Sequence, residues 1–231
     1  MMSSETRKLV DVANKNGPYF GLVIPNLFEM DPLLNSADYN STGRRFRFGT
    51  IRGKKVILVM IGLNMINAVI TTQLLLSHFD VEGAVHYGIA GNANPSLNIG
   101  DVTIPHYWLH CFGKEGSTPE EREHVFWVPV NPLFYHISQT VEDLKLEGCL
   151  NTTTCLTSRP KVVRVERGSS ASISMYLDFI YNISPVDMES ASVALVSCNS
   201  SNTCHSHFVV HPSMLSKSDW RIRDERVYYF I

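Results

Sequence analysis

Apolar runs and one helical stripe alternate along the first hundred residues. Tyr19 to Pro25 reads Tyr-Phe-Gly-Leu-Val-Ile-Pro. The run is too short for a helix and is stopped by proline, which predicts a buried strand. Phe46 and Phe48 alternate with arginines, and Arg52-Gly53-Lys54 supplies a turn. Val56 to Ile61 then follows without a wet face, so the stretch predicts a hairpin with a buried second arm. After Asn64, a suitable N-cap, apolar residues fall at Ile66, Val69, Ile70, Leu74 and Leu75 with helical spacing. "VEGAVHYGIAG" predicts the next strand, ending at Gly88 and Gly91. Strand, helix and strand in that order predict a parallel βαβ unit in a three-layer α/β domain.

The second half is less regular. "CFGKEGSTPEEREH" is charged and punctuated by glycine and proline, which predicts an exposed loop. "NPLFYHISQTVEDLKL" predicts an amphipathic helix, and "KVVRVERGSS" a strand running into a glycine turn. "SPVDMESASVALVS" predicts a strand-like step and then a helix from about Glu189. There is no internal repeat and no long linker.

Composition narrows the classes. The 231 residues suit one α/β domain, and 44% hydrophobic with 18% charged residues is a folding composition. A net charge of -2 offers no basic footprint for nucleic acid and no polybasic membrane patch. The most apolar stretch, Val56 to Leu76, is interrupted by Asn64, Asn67, Thr71, Thr72 and Gln73, so it reads as soluble core. "MMSSETRKLV" lacks a signal-peptide core, so a cytoplasmic chain is expected as it stands, and a secretory or vacuolar one with an upstream leader. Four N-glycosylation triplets begin at Asn40, Asn151, Asn182 and Asn199. Of five cysteines, Cys149 and Cys155 are spaced to bridge a loop, and free thiols are equally allowed. Cys204, His205, His207 and His211 match no standard zinc spacing, and no metal is expected.

Two stretches carry candidate chemistry. "YGIAGNAN" ends a strand of a parallel sheet, where ligands sit. Gly88 and Gly91 allow positive φ or close backbone approach, and exposed amides there would hold a phosphate, a carboxylate or a sugar hydroxyl. It is neither a P-loop nor GxGxxG, and an ordinary turn has the same composition. "VDMES" places Glu189 at a strand–helix junction, where a carboxylate accepts from two vicinal hydroxyls or merely favours the helix N-terminus. Met188 adds a soft apolar surface for a sugar or base.

"GLNMINA", "YGIAGNANPSLNIGDVTIP" and "SPVDMESAS" together resemble the nucleoside phosphorylase and nucleosidase superfamily, in its plant branch with the bark storage proteins. The resemblance covers about Gly17 to Ser197. It implies a twisted mixed sheet between helix layers and a homo-oligomer. It also implies cleavage of a purine nucleoside's N-glycosidic bond, with water or phosphate as acceptor and no other cofactor. Carried over, Glu189 is the ribose carboxylate and Met188 its neighbour on the sugar. Gly88, Ala90 and Gly91 form the loop facing the sugar. Glu29, in "PNLFEMDPLL", is the candidate water-activating acid.

The chain also departs from that pattern. The family commonly has serine at Ile89, and "VERGSSASISMYLDFIYN" lacks the usual purine-side Ser-Gly-Asp-x-Phe. After Ser197 the resemblance stops, where a core strand and an Arg-x-x-Ser-Asp segment with a purine-side acid are expected. Asp219, after Ser218, is the tail's candidate for that acid. One codon choice for Cys198 to Phe208, preceded by one base, reads Leu-Gln-Gln-Gln-Gln-His-Val-Pro-Phe, much closer to the expected helix end and strand. The organisation expected is therefore an extension over 1–16, a phosphorylase-like domain over 17–197, and an aberrant tail over 198–231 explained by a frame change. Such a tail would leave a core strand missing or replaced. Lost catalysis and a storage or nucleoside-binding role is the second reading.

Overall fold

A computed structural model describes residues 4–35, 39–42, 46–112, 124–149, 153, 155–170, 182–199 and 206–212. Most of the charged loop between 113 and 123, part of the purine-side stretch, Cys204, His205 and Asp219 lie outside the described residues.

The chain begins with α1 (Ser4–Asn14), β1 (Tyr19–Ile24), α2 (Leu27–Leu34), β2 (Tyr39–Thr42), β3 (Phe46–Ile51) and β4 (Lys54–Met60). It continues through α3 (Met65–His78), β5 (Val81–Tyr87), β6 (Gly91–Asn92), β7 (Val102–Phe112) and β8 (His124–Pro129). The last elements are α4 (Pro132–Ile137), β9 (Val162–Ser170), β10 (Ile183–Asp187), α5 (Ser190–Asn199) and β11 (Ser206–Pro212). Among the described residues the strands form one mixed sheet, ordered β2-β3-β4-β1-β5-β11-β7-β9-β10-β6, with β8 beside β7. β4 and β5 both run parallel to β1, so the βαβ unit expected from the hydrophobic pattern is present.

Period-two alternation divides the core. Leu22 and Ile24 of β1, with Val56 and Leu58 of β4, face one side and meet Met30 and Leu33 of α2. Tyr19 and Val23, with Ile57 and Val59, face the other and meet Ala68 and Leu75 of α3 and Val193 of α5. Helices thus cover both faces, giving the α/β/α architecture. Each aliphatic side chain fully buried here contributes about 1.5–3 kcal/mol.

The stripe expected on α3 meets the core only in part, at Leu75. Ala68, Thr71, Thr72 and Leu75 are buried, whereas Ile66 and Ile70 are 69% and 51% exposed. Small alanine and threonine side chains allow α3 to lie close on the sheet, and Ile66 and Ile70 point outward.

Two further expectations are corrected. The helix expected over "NPLFYHISQTVEDLKL" is α-helical only through Ile137, then tightens to a 3₁₀ turn over Ser138–Val141. There the Ser138 hydroxyl donates to the Tyr135 carbonyl at 2.7 Å, and β-branched Thr140 and Val141 favour helix weakly. Gly168 is not a turn: it lies inside β9, where a Cβ would sit 2.8 Å from the ring of buried Trp108.

Described segments at and beyond the borders of the expected 17–197 domain are also tied to the fold. Asn14 Nδ2 donates to His78 O at 2.9 Å, and the Tyr19 hydroxyl donates to Ala13 O at 3.0 Å. Burial pushes the Tyr19 phenol above its usual range, which keeps that donor protonated. Cys149 and Cys155 form a disulfide. Ser206–Pro212 enters the sheet between β5, to which it is parallel, and β7, to which it is antiparallel. Of the two outcomes expected for the tail, a strand missing or replaced, the described residues therefore show an occupied position.

Candidate active site

Parallel pairing of β1, β4 and β5 brings their carboxyl ends to one rim. Each strand leaves that rim through a segment singled out by the sequence. After β1, the Asn26 side chain accepts from the Glu29 N–H at 3.2 Å and caps α2, which fixes Glu29 in the first helical turn. Glu29 then reaches across to the glycine turn after β5, where its Oε1 accepts from the Ile89 N–H at 2.6 Å.

Gly88 makes this contact sterically accessible. A Cβ at Gly88 would stand 2.9 Å from Pro25 Cγ and 3.0 Å from Glu29 Oε1. Neither Gly88 nor Gly91 adopts a left-handed backbone, so of the two roles expected for these glycines, close approach is the one used, at Gly88. Ala90 is buried, and Gly91 opens the short β6.

The segment after β4 holds the second carboxylate. Asn64 has φ 86° and ψ 150°, a conformation costing on the order of 1–3 kcal/mol for a residue other than glycine. Its side chain accepts from the Ile66 N–H at 3.3 Å and caps α3. Its own N–H donates to Glu189 Oε1 at 2.6 Å. Only 5% of Glu189 is exposed, so this carboxylate is held with most of its hydration removed. Hydrogen bonds to a desolvated carboxylate are of the stronger, charge-assisted kind.

β10 brings the two motifs together. Val186 and Pro185 pair antiparallel with Gly91 and Asn92, so the strand that ends at Asp187, just before Met188 and Glu189, abuts the end of the glycine turn. Met188 is 47% exposed and offers apolar surface beside the clamped carboxylate. The turn is braced further on: the Asn92 side chain donates to Asn94 O at 2.7 Å, and Asn94 Nδ2 donates to Ser184 Oγ at 3.1 Å.

The structure therefore brings Glu29 onto the turn that holds Gly88, Ala90 and Gly91, and pairs the end of that turn with β10, which leads directly into Met188 and Glu189. Asp219 lies outside the described residues. In the sequence Asn64 shows itself as a helix cap within the "GLNMINA" stretch, with nothing there to name Glu189 as its partner. Its grip on Glu189 joins residues 125 apart, and the one local sign was an asparagine, a residue tolerant of positive φ, beside Gly62. Among the described residues no group of three or more His, Cys, Asp or Glu side chains is placed to hold a metal, and no helix is long and apolar enough to cross a membrane.

Chemically, the site offers two carboxylates of different kind. Glu29 faces a turn of backbone amides, which suits activation of a small nucleophile. Glu189 is shielded and anchored, which suits recognition of hydroxyl groups.

Residues 19–201 match the model of the phosphorylase superfamily. The chain is 27% identical over 200 residues to bark storage protein B of Populus deltoides, across 67% of this chain and 64% of that protein. It thus spans about two thirds of the length of that relative. It is 30% identical over 193 residues to the 5'-methylthioadenosine/S-adenosylhomocysteine nucleosidase of Pseudoalteromonas translucida, across 80% of this chain and 76% of the nucleosidase. Its fold is similar to that of a futalosine hydrolase mutant of Helicobacter pylori, with TM-score 0.69 and 15% identity, across 93% of this chain and 96% of that one. These matches define an α/β protein with the phosphorylase-type fold. The chain belongs to the phosphorylase superfamily.

Proposed function

We propose that this protein binds a purine nucleoside at the Gly88–Gly91 turn and hydrolyses its N-glycosidic bond. The observation carrying this reading is the Glu29 carboxylate, held on the Ile89 N–H of the turn against which β10, the strand leading into Met188 and Glu189, is paired. Cleavage proceeds as the ribose gains oxocarbenium-like positive charge and the base leaves with the bonding electrons. Glu189 accepts hydrogen bonds from the ribose 2'- and 3'-hydroxyls, and Met188 covers the sugar. Glu29 removes a proton from the attacking water and stabilises the developing cation. The leaving base takes up a proton at its five-membered ring, for which Asp219 is the chain's candidate donor.

Water rather than phosphate is the acceptor in this proposal. A carboxylate at the nucleophile position repels a phosphate dianion, whereas it is a competent base for water. Ile89 does not oppose this, because its backbone N–H, rather than its side chain, contacts Glu29.

The test is the product. With 5'-methylthioadenosine, the wild type should release free adenine and methylthioribose at a rate independent of phosphate. Glu29→Gln should lower kcat by about 10²–10⁴-fold, the usual scale for losing a general base. A sugar 1-phosphate product, or an unchanged rate in Glu29→Gln, would overturn the assignment.

The second reading is a non-catalytic storage or nucleoside-binding protein. The observation favouring it is the 27% identity to bark storage protein B.

We also propose a homo-oligomer. Phe28 is 75% exposed, and with Leu27, Leu63, Ile66, Val69 and Ile70 it forms an apolar set on segments leaving β1 and β4. A second copy of this surface is the occupant proposed.

A further inference from the structure

Glu189 follows a step whose first residue, Asp187, is a buried carboxylate. Asp187 Oδ1 accepts from the Ser170 hydroxyl and from the Ser190 N–H at 3.3 Å. Its Oδ2 accepts from the Ser190 hydroxyl and from the same N–H at 3.1 Å. Ser170 Oγ accepts in turn from the Ala191 N–H at 2.7 Å. On the far side, His86 Nε2 stands 3.8 Å from Asp187 Oδ2. His86 Nδ1 is 2.8 Å from the Val23 carbonyl oxygen, and because a carbonyl only accepts, that nitrogen is the donor.

His86, Ser170, Asp187 and Ser190 are all buried, and they come from β5, β9, β10 and the start of α5. Helix capping accounts for the Ser190 and Ala191 N–H groups, which Asp187 and Ser170 satisfy at the start of α5. It explains neither the bond from the Ser170 hydroxyl to Asp187 nor the histidine. A core that only needed filling would be served by apolar side chains, since a buried carboxylate loses hydration that its partners must offset. What the polar set adds is geometry. Asp187 lies two residues before Glu189, and His86 lies two residues before Gly88.

We infer that His86, Ser170, Asp187 and Ser190 are positioning residues that hold the Asp187-Met188-Glu189 step in register with the glycine turn. Glu189 thereby meets vicinal hydroxyls at a fixed place. This inference rests on the nucleoside-binding reading above. None of the four is assigned contact with substrate.

The test uses 9-deazaadenosine, whose C–C glycosidic bond is not hydrolysed, and its 2',3'-dideoxy form. Affinities are measured calorimetrically for the wild type, Asp187→Asn and Ser170→Ala. The wild type should prefer the hydroxyl-bearing ligand. Both variants should bind that ligand about tenfold more weakly, the size of one charged hydrogen bond lost, and bind the dideoxy ligand as the wild type does. A purely structural role would weaken both ligands together, and that result overturns the inference, as does unchanged binding of both. A wild type that binds neither ligand overturns the nucleoside reading and this inference with it. A wild type that prefers the hydroxyls while both variants keep the preference overturns the positioning role alone. Should Asp187→Asn fail to fold, Ser170→Ala, which removes a single hydroxyl, decides the matter.

Discussion

Ile89 and Gly88 show how much of this site is backbone. The likeness to nucleosidases would place a serine side chain at Ile89, yet the contact made there is its N–H on Glu29. That contact depends on a missing Cβ one residue earlier. Gly88→Ala would bring a methyl group to 2.9 Å from Pro25 and 3.0 Å from Glu29, so the carboxylate must move. A contact that close makes its neighbour give by a few tenths of an ångström, whereas a misplacement of about 1 Å costs about 100-fold in rate. The expected outcome is a measurable fall in kcat/KM for base release of less than about 100-fold, with a cooperative melt retained. An unchanged kcat/KM would separate Glu29 from the chemistry. In the sequence Gly88 and Glu189 stand at a strand end and a helix start, where an ordinary turn and a helix-dipole role fit them equally, and Glu29 is named only by the resemblance to the superfamily. The sequence does not pair them, since hydrogen bonds between residues 60 and 125 apart leave no local trace.

Strands were the elements most legible in the sequence. Tyr19–Ile24 and Val81–Tyr87 are short apolar runs bounded by proline or glycine, and they form where the pattern placed them. Periodicity placed Leu75 of α3 on the core but missed the rest of the buried face, because a helix packed closely on its neighbours buries Ala68, Thr71 and Thr72 and leaves Ile66 and Ile70 outside. It failed on length after Ile137, where side-chain hydroxyls compete for carbonyls of the preceding turn. It failed on Gly168, whose reason is a tryptophan on the neighbouring strand β7. Gly168→Ala should therefore destabilise the fold by about 1–3 kcal/mol, the usual cost of overpacking, measured as a lower urea midpoint at unchanged m-value. A midpoint equal to the wild type would show that Trp108 has room to shift.

At the scale of the molecule, the outward apolar face of α3 and the apolar residues after β1 call for a partner, and a second copy meets that need. Ile70→Asp should convert a dimer to a monomer in light scattering while leaving helix content unchanged. A wild-type chain already monomeric at micromolar concentration would contradict the proposed oligomer. The tail is the part least legible in the sequence: its polar start hid a strand, Ser206–Pro212, that lies between β5 and β7 near the middle of the sheet order. Whether the whole assembly turns over a nucleoside is the central claim. The most direct test is a single-turnover assay, with enzyme in excess over 5'-methylthioadenosine and free adenine followed by chromatography. The account expects stoichiometric adenine without added phosphate, abolished in Glu189→Gln. Intact nucleoside after prolonged incubation with a cooperatively folding protein would contradict it and leave storage or binding as the function.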